Sequence, residues 1–143
     1  MDENLMDAIC REFGLEAKDA NSYSPLTLAY IGDGIFELVI RTVMISRHDT
    51  STNRLHKKAS RIVNAGFQAK LADKLKPHLT NEEKDIFRRG RNAKSHSIAK
   101  NATVHDYRIA TGFEALMGYL YVSGKTDRLI ELVRIGLEEE VEK

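Results

Sequence analysis

Two carboxylates stand in this sequence where carboxylates are costly. Asp33 lies within Leu28 to Ile40, LAYIGDGIFELVI, and Glu114 within Tyr107 to Tyr121, YRIATGFEALMGYLY; each stretch is otherwise mainly apolar or small. Desolvation disfavours an ionised carboxylate, so each acid calls for a basic partner, a metal ion or a water-filled cleft. Gly32 and Gly34 flank Asp33, and Gly112 and Gly118 stand near Glu114. Glycine costs a helix about 1 kcal/mol relative to alanine and is understandable where another helix or a ligand approaches closely. If two such helices cross, Asp33 and Glu114 converge on one divalent cation, and oxygen-only ligands suit magnesium. Glu37, one turn beyond Asp33 on the same face, is an additional ligand or a support behind the ligands. On spacing alone, internal ion pairs to Arg41, Arg108 or Lys94 account for the acids equally well.

Other chemistries find less support. Cys10 is the single cysteine, which excludes an intramolecular disulfide, and no Cys/His cluster has zinc spacing. His48, His56, His78, His96 and His105 read as surface or capping residues, with His56 set apart by its neighbours Lys57 and Lys58. Net charge is only +1, but it is segregated: Arg54 to Arg108 holds 14 Lys and Arg against 5 Asp and Glu. A basic central block is what a phosphate-backbone surface requires, although a solvated helical face has the same composition.

The elements that must position these residues are helices. Hydrophobic residues make up 42% of the 143-residue chain and charged residues 30%, with only two prolines, Pro25 and Pro77, a balance suited to one all-α domain. The pattern predicts a first helix over Glu3 to Phe13 ended by Gly14. A long central buried helix follows from the Ser24-Pro25 start to about Ile45. A basic helix from Ser51 or Thr52 carries Leu55, Ala59, Ile62 and Val63 inward, and its pattern resumes through Phe67, Leu71 and Leu75 after a break near Asn64 to Gly66. Thr80-Asn81-Glu82-Glu83 is a capping box opening a helix that ends at Gly90. Arg91 to Asn101 reads as a loop, Thr103 caps a helix reaching Val122, and Thr126 caps the last, with Leu129, Leu132, Val133 and Leu137 inward. The stretch Leu28 to Met44 is interrupted by Asp33, Glu37 and Arg41, which argues against membrane insertion. The acidic start, Met1-Asp2-Glu3-Asn4, does not resemble a secretion signal, so a cytoplasmic protein is expected.

The stretch LAYIGDGIFEL resembles the signature helix of the ribonuclease III family, and FEALMGYLY, Phe113 to Tyr121, resembles that family's later metal-binding helix. His56 to Ala65, HKKASRIVNA, and Arg88 to Ser95, RRGRNAKS, are similar to its Mini-ribonuclease III branch. The resemblance implies a helical endonuclease-domain bundle in which Asp33 and Glu114 hold magnesium and activate water to cut double-stranded RNA, leaving 5′-phosphate and 3′-hydroxyl ends. No protein nucleophile is then needed. It further implies a homodimer formed near the signature helix, with Phe36, Ile40 and Met44 as interface candidates, and precursor large-subunit ribosomal RNA as substrate. A single catalytic domain over residues 1–143, without a separate double-stranded-RNA-binding domain, would grip RNA itself through His56, Lys57, Lys58, Arg61, Arg88, Arg89, Arg91, Asn92, Lys94 and Lys100. Two acids of the broader family pattern are replaced, by Ala29 and Thr111. That substitution keeps open a catalytically inactive RNA-binding module, and the basic block alone is compatible with a helical interaction protein.

Overall fold

The computed structural model describes residues 3–47, 51–94 and 103–141. Seven α-helices follow one another, with no strand among the described residues: α1 (Leu5–Phe13), α2 (Pro25–Arg47), α3 (Thr52–Ile62), α4 (Ala65–Leu75), α5 (Asn81–Asn92), α6 (Val104–Val122) and α7 (Thr126–Val141). The all-α expectation holds, and the side chain of Ile62 lies outside the described residues.

Local chemistry sets most of the boundaries. Asn4, Ser51, Asn64, Thr80 and Thr103 each accept a backbone N–H in the first turn of α1, α3, α4, α5 and α6, satisfying donors that have no partner within the helix. Ser24 does the same for α2 through Thr27 N–H, 3.1 Å away. Gly14 ends α1 in the left-handed conformation, φ 65°, which suits a residue without Cβ. The expected capping box is complete: Thr80 accepts from Glu83 N–H, and Glu83 accepts from Thr80 N–H. Two boundaries differ. Helix α5 runs past Gly90 to Asn92, and Thr126 is the first residue of α7, not its cap.

The central helix is α6, not α2. Helices α2, α4, α5 and α7 all pack on α6, while α3 leans on α2. Phe113, Ala115, Leu116, Met117 and Leu120 are 0–1% exposed. Helix α2 buries one face, Leu28, Phe36, Ile40 and Met44, and leaves Leu26, Tyr30, Leu38 and Ile45 on the outside. Phe36, Ile40 and Met44 are therefore core residues and cannot form an intersubunit surface. The Phe36 and Phe113 rings meet edge to face with centroids 5.0 Å apart, a geometry that adds to simple area burial. Leu129, Leu132, Val133 and Leu137 face inward from α7, as their spacing predicts.

Candidate active site

Glycine brings α2 and α6 together. A Cβ on Gly32 would lie 1.7 Å from the carbonyl oxygen of Glu114, and one on Gly118 would lie 1.9 Å from that of Leu28. The two backbones thus touch where any larger residue would hold them apart. Gly112 meets α5 in the same way, a Cβ there falling 2.7 Å from the Phe87 carbonyl oxygen. Gly34 differs: nothing lies within 4 Å of its Cβ direction, and it lines the open space beside the crossing.

That space is a cleft of about 550 Å³ lined by Ala29, Tyr30, Asp33, Gly34, Tyr107, Thr111 and Glu114, with Leu26 and Ile31. The two acids singled out in the sequence meet here. Asp33 is exposed and Glu114 half-buried, so only the second fits the picture of an acid held inside the bundle. Burial, then a hydrogen bond with Asp33 and the charge of Asp33, push the Glu114 carboxyl up to about 9. Two carboxylates cannot both ionise cheaply at such proximity.

The residues present fit a divalent cation. No lysine or arginine lines the cleft, and neither acid is ion-paired to Arg41, Arg108 or Lys94 among the described residues. A cation would relieve the crowding and accept the carboxylate oxygens as hard ligands. Ala29 and Thr111 both face this cleft, and the Thr111 hydroxyl is tied to its own helix, donating to the Tyr107 carbonyl at 2.9 Å. Among the described residues no group of three or more His, Cys, Asp or Glu is arranged for a metal. Glu37 is half-buried, accepts from Arg41 at 2.5 Å and is absent from the cleft wall.

The basic residues divide between two helices. His56, Lys57, Lys58 and Arg61 are exposed on α3. On α5, Arg88 is exposed and bonded to Asp85, whereas Arg89 and Arg91 are half-buried and Arg91 donates to Asn92 at 3.3 Å. Asn92 and Lys94 are exposed; Lys100 and most of the expected Arg91 to Asn101 loop lie outside the described residues.

One residue of the site escaped the sequence analysis. Gln68 of α4 is 2% exposed and close enough to Glu114 to favour its charged form, yet its Nε2 makes no hydrogen bond of ordinary geometry. The available signal was positional: Gln68 occupies the stripe of Leu71, Ala72 and Leu75, where an apolar residue belongs.

Residues 26–125 match the ribonuclease III domain family. The chain is 46% identical over 126 residues to a Mini-ribonuclease 3 of Clostridium tetani, covering 86% of this chain and 83% of that one. It is 40% identical over 138 residues to a Mini-ribonuclease 3 of a Thermoanaerobacter species, covering 96% and 97%. A crystal structure of a Fusobacterium nucleatum protein superposes with a TM-score of 0.77 at 32% identity, covering 86% of this chain and 98% of the other. With the two acids of the signature and later helices meeting in one cleft, and with these likenesses over most of its length, the chain belongs to the ribonuclease III family of endoribonucleases, in its Mini-ribonuclease 3 branch.

Proposed function

We propose that this endoribonuclease hydrolyses double-stranded RNA with magnesium held by Asp33 and Glu114, leaving 5′-phosphate and 3′-hydroxyl ends. The observation that carries the proposal is the convergence of those two acids in one cleft without a basic partner on its wall. When bound, the cation supplies Lewis-acid activation of water and neutralises charge on the leaving oxygen. The water oxygen bonds to phosphorus, the bond to the 3′ oxygen breaks, and that oxygen takes up a proton. Asp33, at the exposed edge, is reachable by a backbone phosphate, and half-buried Glu114 fixes the inner side of the site. With Ala29 and Thr111 replacing two acids, water or phosphate oxygens complete the coordination. Glu37 enters as a ligand only by leaving Arg41; paired as it is, it supports the site from the same helix.

His56, Lys57, Lys58 and Arg61 on α3, with Arg88, Arg89, Arg91, Asn92, Lys94 and Lys100, serve as the RNA grip of a single catalytic domain, reading the shape of the duplex. The uncovered apolar residues of α2, Leu26, Tyr30, Leu38 and Ile45, support a homodimer that sets two cleavage centres on opposite strands. The proposed substrate in the cell is precursor large-subunit ribosomal RNA, met in the cytoplasm. No described helix is long and apolar enough to cross a membrane.

Incubating purified protein with end-labelled duplex RNA, with and without magnesium, and mapping both ends tests this. Magnesium-dependent staggered cuts bearing 5′-phosphates are expected. Ala29 and Thr111 in the cleft favour one alternative, an inactive module, which predicts tight duplex binding and intact RNA at every magnesium concentration.

A further inference from the structure

Helix α4 turns Gln68, Leu71, Ala72 and Leu75 to the interior. Three of these are ordinary packing residues; the amide at Gln68 is not. A side chain 2% exposed should either be apolar or have its polar atoms satisfied, since buried donors without a partner are rare and unfavourable. Leucine or methionine would fill the same volume without that cost. The Gln68 Nε2 nevertheless has no partner, and the group beside it is the Glu114 carboxyl on the neighbouring helix α6. Glu114 reaches the cleft on the side of Asp33. Gln68 does not line that cleft, so it faces Glu114 from behind.

We infer that Gln68 is a positioning residue for Glu114: its buried carboxamide steers the glutamate carboxylate toward the cleft, and its free Nε2–H is completed by a carboxylate oxygen when a divalent cation is bound. The inference rests on the divalent-cation reading of the cleft. A partner that orients a carboxylate ligand raises its preorganisation, and loss of such an outer partner typically lowers metal affinity roughly 10- to 100-fold. An amide suits this task better than a further acid, because it donates to the carboxylate without adding negative charge to a crowded pair.

The test compares the full-length protein with Gln68→Met and Gln68→Leu, titrating manganese and reading the free ion by electron paramagnetic resonance. Saturable binding by the wild type and a roughly 10- to 100-fold weaker affinity in the variants are expected. Their cation-free melting temperatures should stay at or above that of the wild type, since an unpaired donor has left the interior. Binding of duplex RNA without cation should not change. Wild-type affinity in Gln68→Met, or an affinity loss matched by a fall in cation-free stability, overturns the positioning role alone. Absence of saturable manganese binding in the wild type overturns the cation reading, and this inference with it. A second measurement needs no variant: the assigned Gln68 side-chain amide protons should move downfield and exchange more slowly as magnesium is added, and unchanged signals would overturn the inference.

Discussion

Asp33 and Glu114 share a cleft but not an environment, and their substitutions should differ accordingly. Asp33 is exposed, so Asp33→Asn removes a ligand without disturbing packing. Cleavage should fall by more than the roughly 100-fold that loss of an outer partner costs, while duplex affinity measured without magnesium stays at the wild-type value. A variant that still cuts at the wild-type rate would remove Asp33 from the site. A second acid teaches a different lesson. Glu83, 5% exposed, receives Arg128 Nε–H and Nη2–H at 2.9 Å each, and Arg128 also donates to the His78 carbonyl at 2.7 Å. The hydrogen bonds from Arg128 hold the Glu83 carboxyl below its usual range, against the opposing effect of burial. A depressed folded pKa contributes stability that is complete above the unfolded value of 4.5 and is lost as pH falls through the folded one. Arg128→Met should therefore destabilise by about 3 kcal/mol at neutral pH, the lower end for breaking a buried pair because Arg128 is partly exposed. The gap in melting temperature to the wild type should narrow as pH drops below about 4.5. A gap constant across that range would show that the pair is not what Arg128 contributes.

At the level of elements, the site depends on two helices touching. Gly32→Ala places a methyl group 1.7 Å from the backbone of α6, and backbone cannot step aside as a flexible side chain can. A loss of about 3 kcal/mol is expected, at the upper end of overpacking costs. Cleavage should fall further than the folded fraction does, because Asp33 and Glu114 separate. Gly34→Ala is the control: with open space around it, it should stabilise α2 by up to about 1 kcal/mol through helix propensity. Thermal melts of the two variants read both signs, and equal effects would refute the account of the crossing. The same logic explains why α6 is central: glycines on opposite sides of it, Gly118 against α2 and Gly112 against α5, admit two close neighbours at once.

For the molecule as a whole, charge and uncovered apolar surface matter more than any single contact. Neutralising Lys57 and Lys58 together should lower RNA affinity for every duplex sequence alike and reduce the slope of log affinity against log salt by about 2, roughly one per phosphate released. Filter binding across a salt series measures this, and an unchanged slope would move the grip away from α3. Leu38, 50% exposed on α2, belongs to the proposed dimer face. Leu38→Glu should shift sedimentation toward the monomer at micromolar concentration with little change in monomer stability, and an unaltered dimer would place the interface elsewhere.

Helix identity, most caps and the two acids were legible because they depend on nearest neighbours along the chain: Thr80 three residues before Glu83, Ser24 before Pro25, Asp33 between two glycines. Which helix is central was not legible. Helices α2 and α6 are both apolar nearly all round, and only the packing of four helices on α6 leaves one side of α2 outside. For that reason Phe36, Ile40 and Met44 proved to be core and Asp33 exposed. Gln68 was hidden for a related reason: an inward glutamine gains meaning only when its neighbour is known, and that neighbour, Glu114, is 46 residues away in sequence. Period and composition determine which faces must be buried; the backbone contact at Gly32 and Gly118 decides which side chains meet when they are.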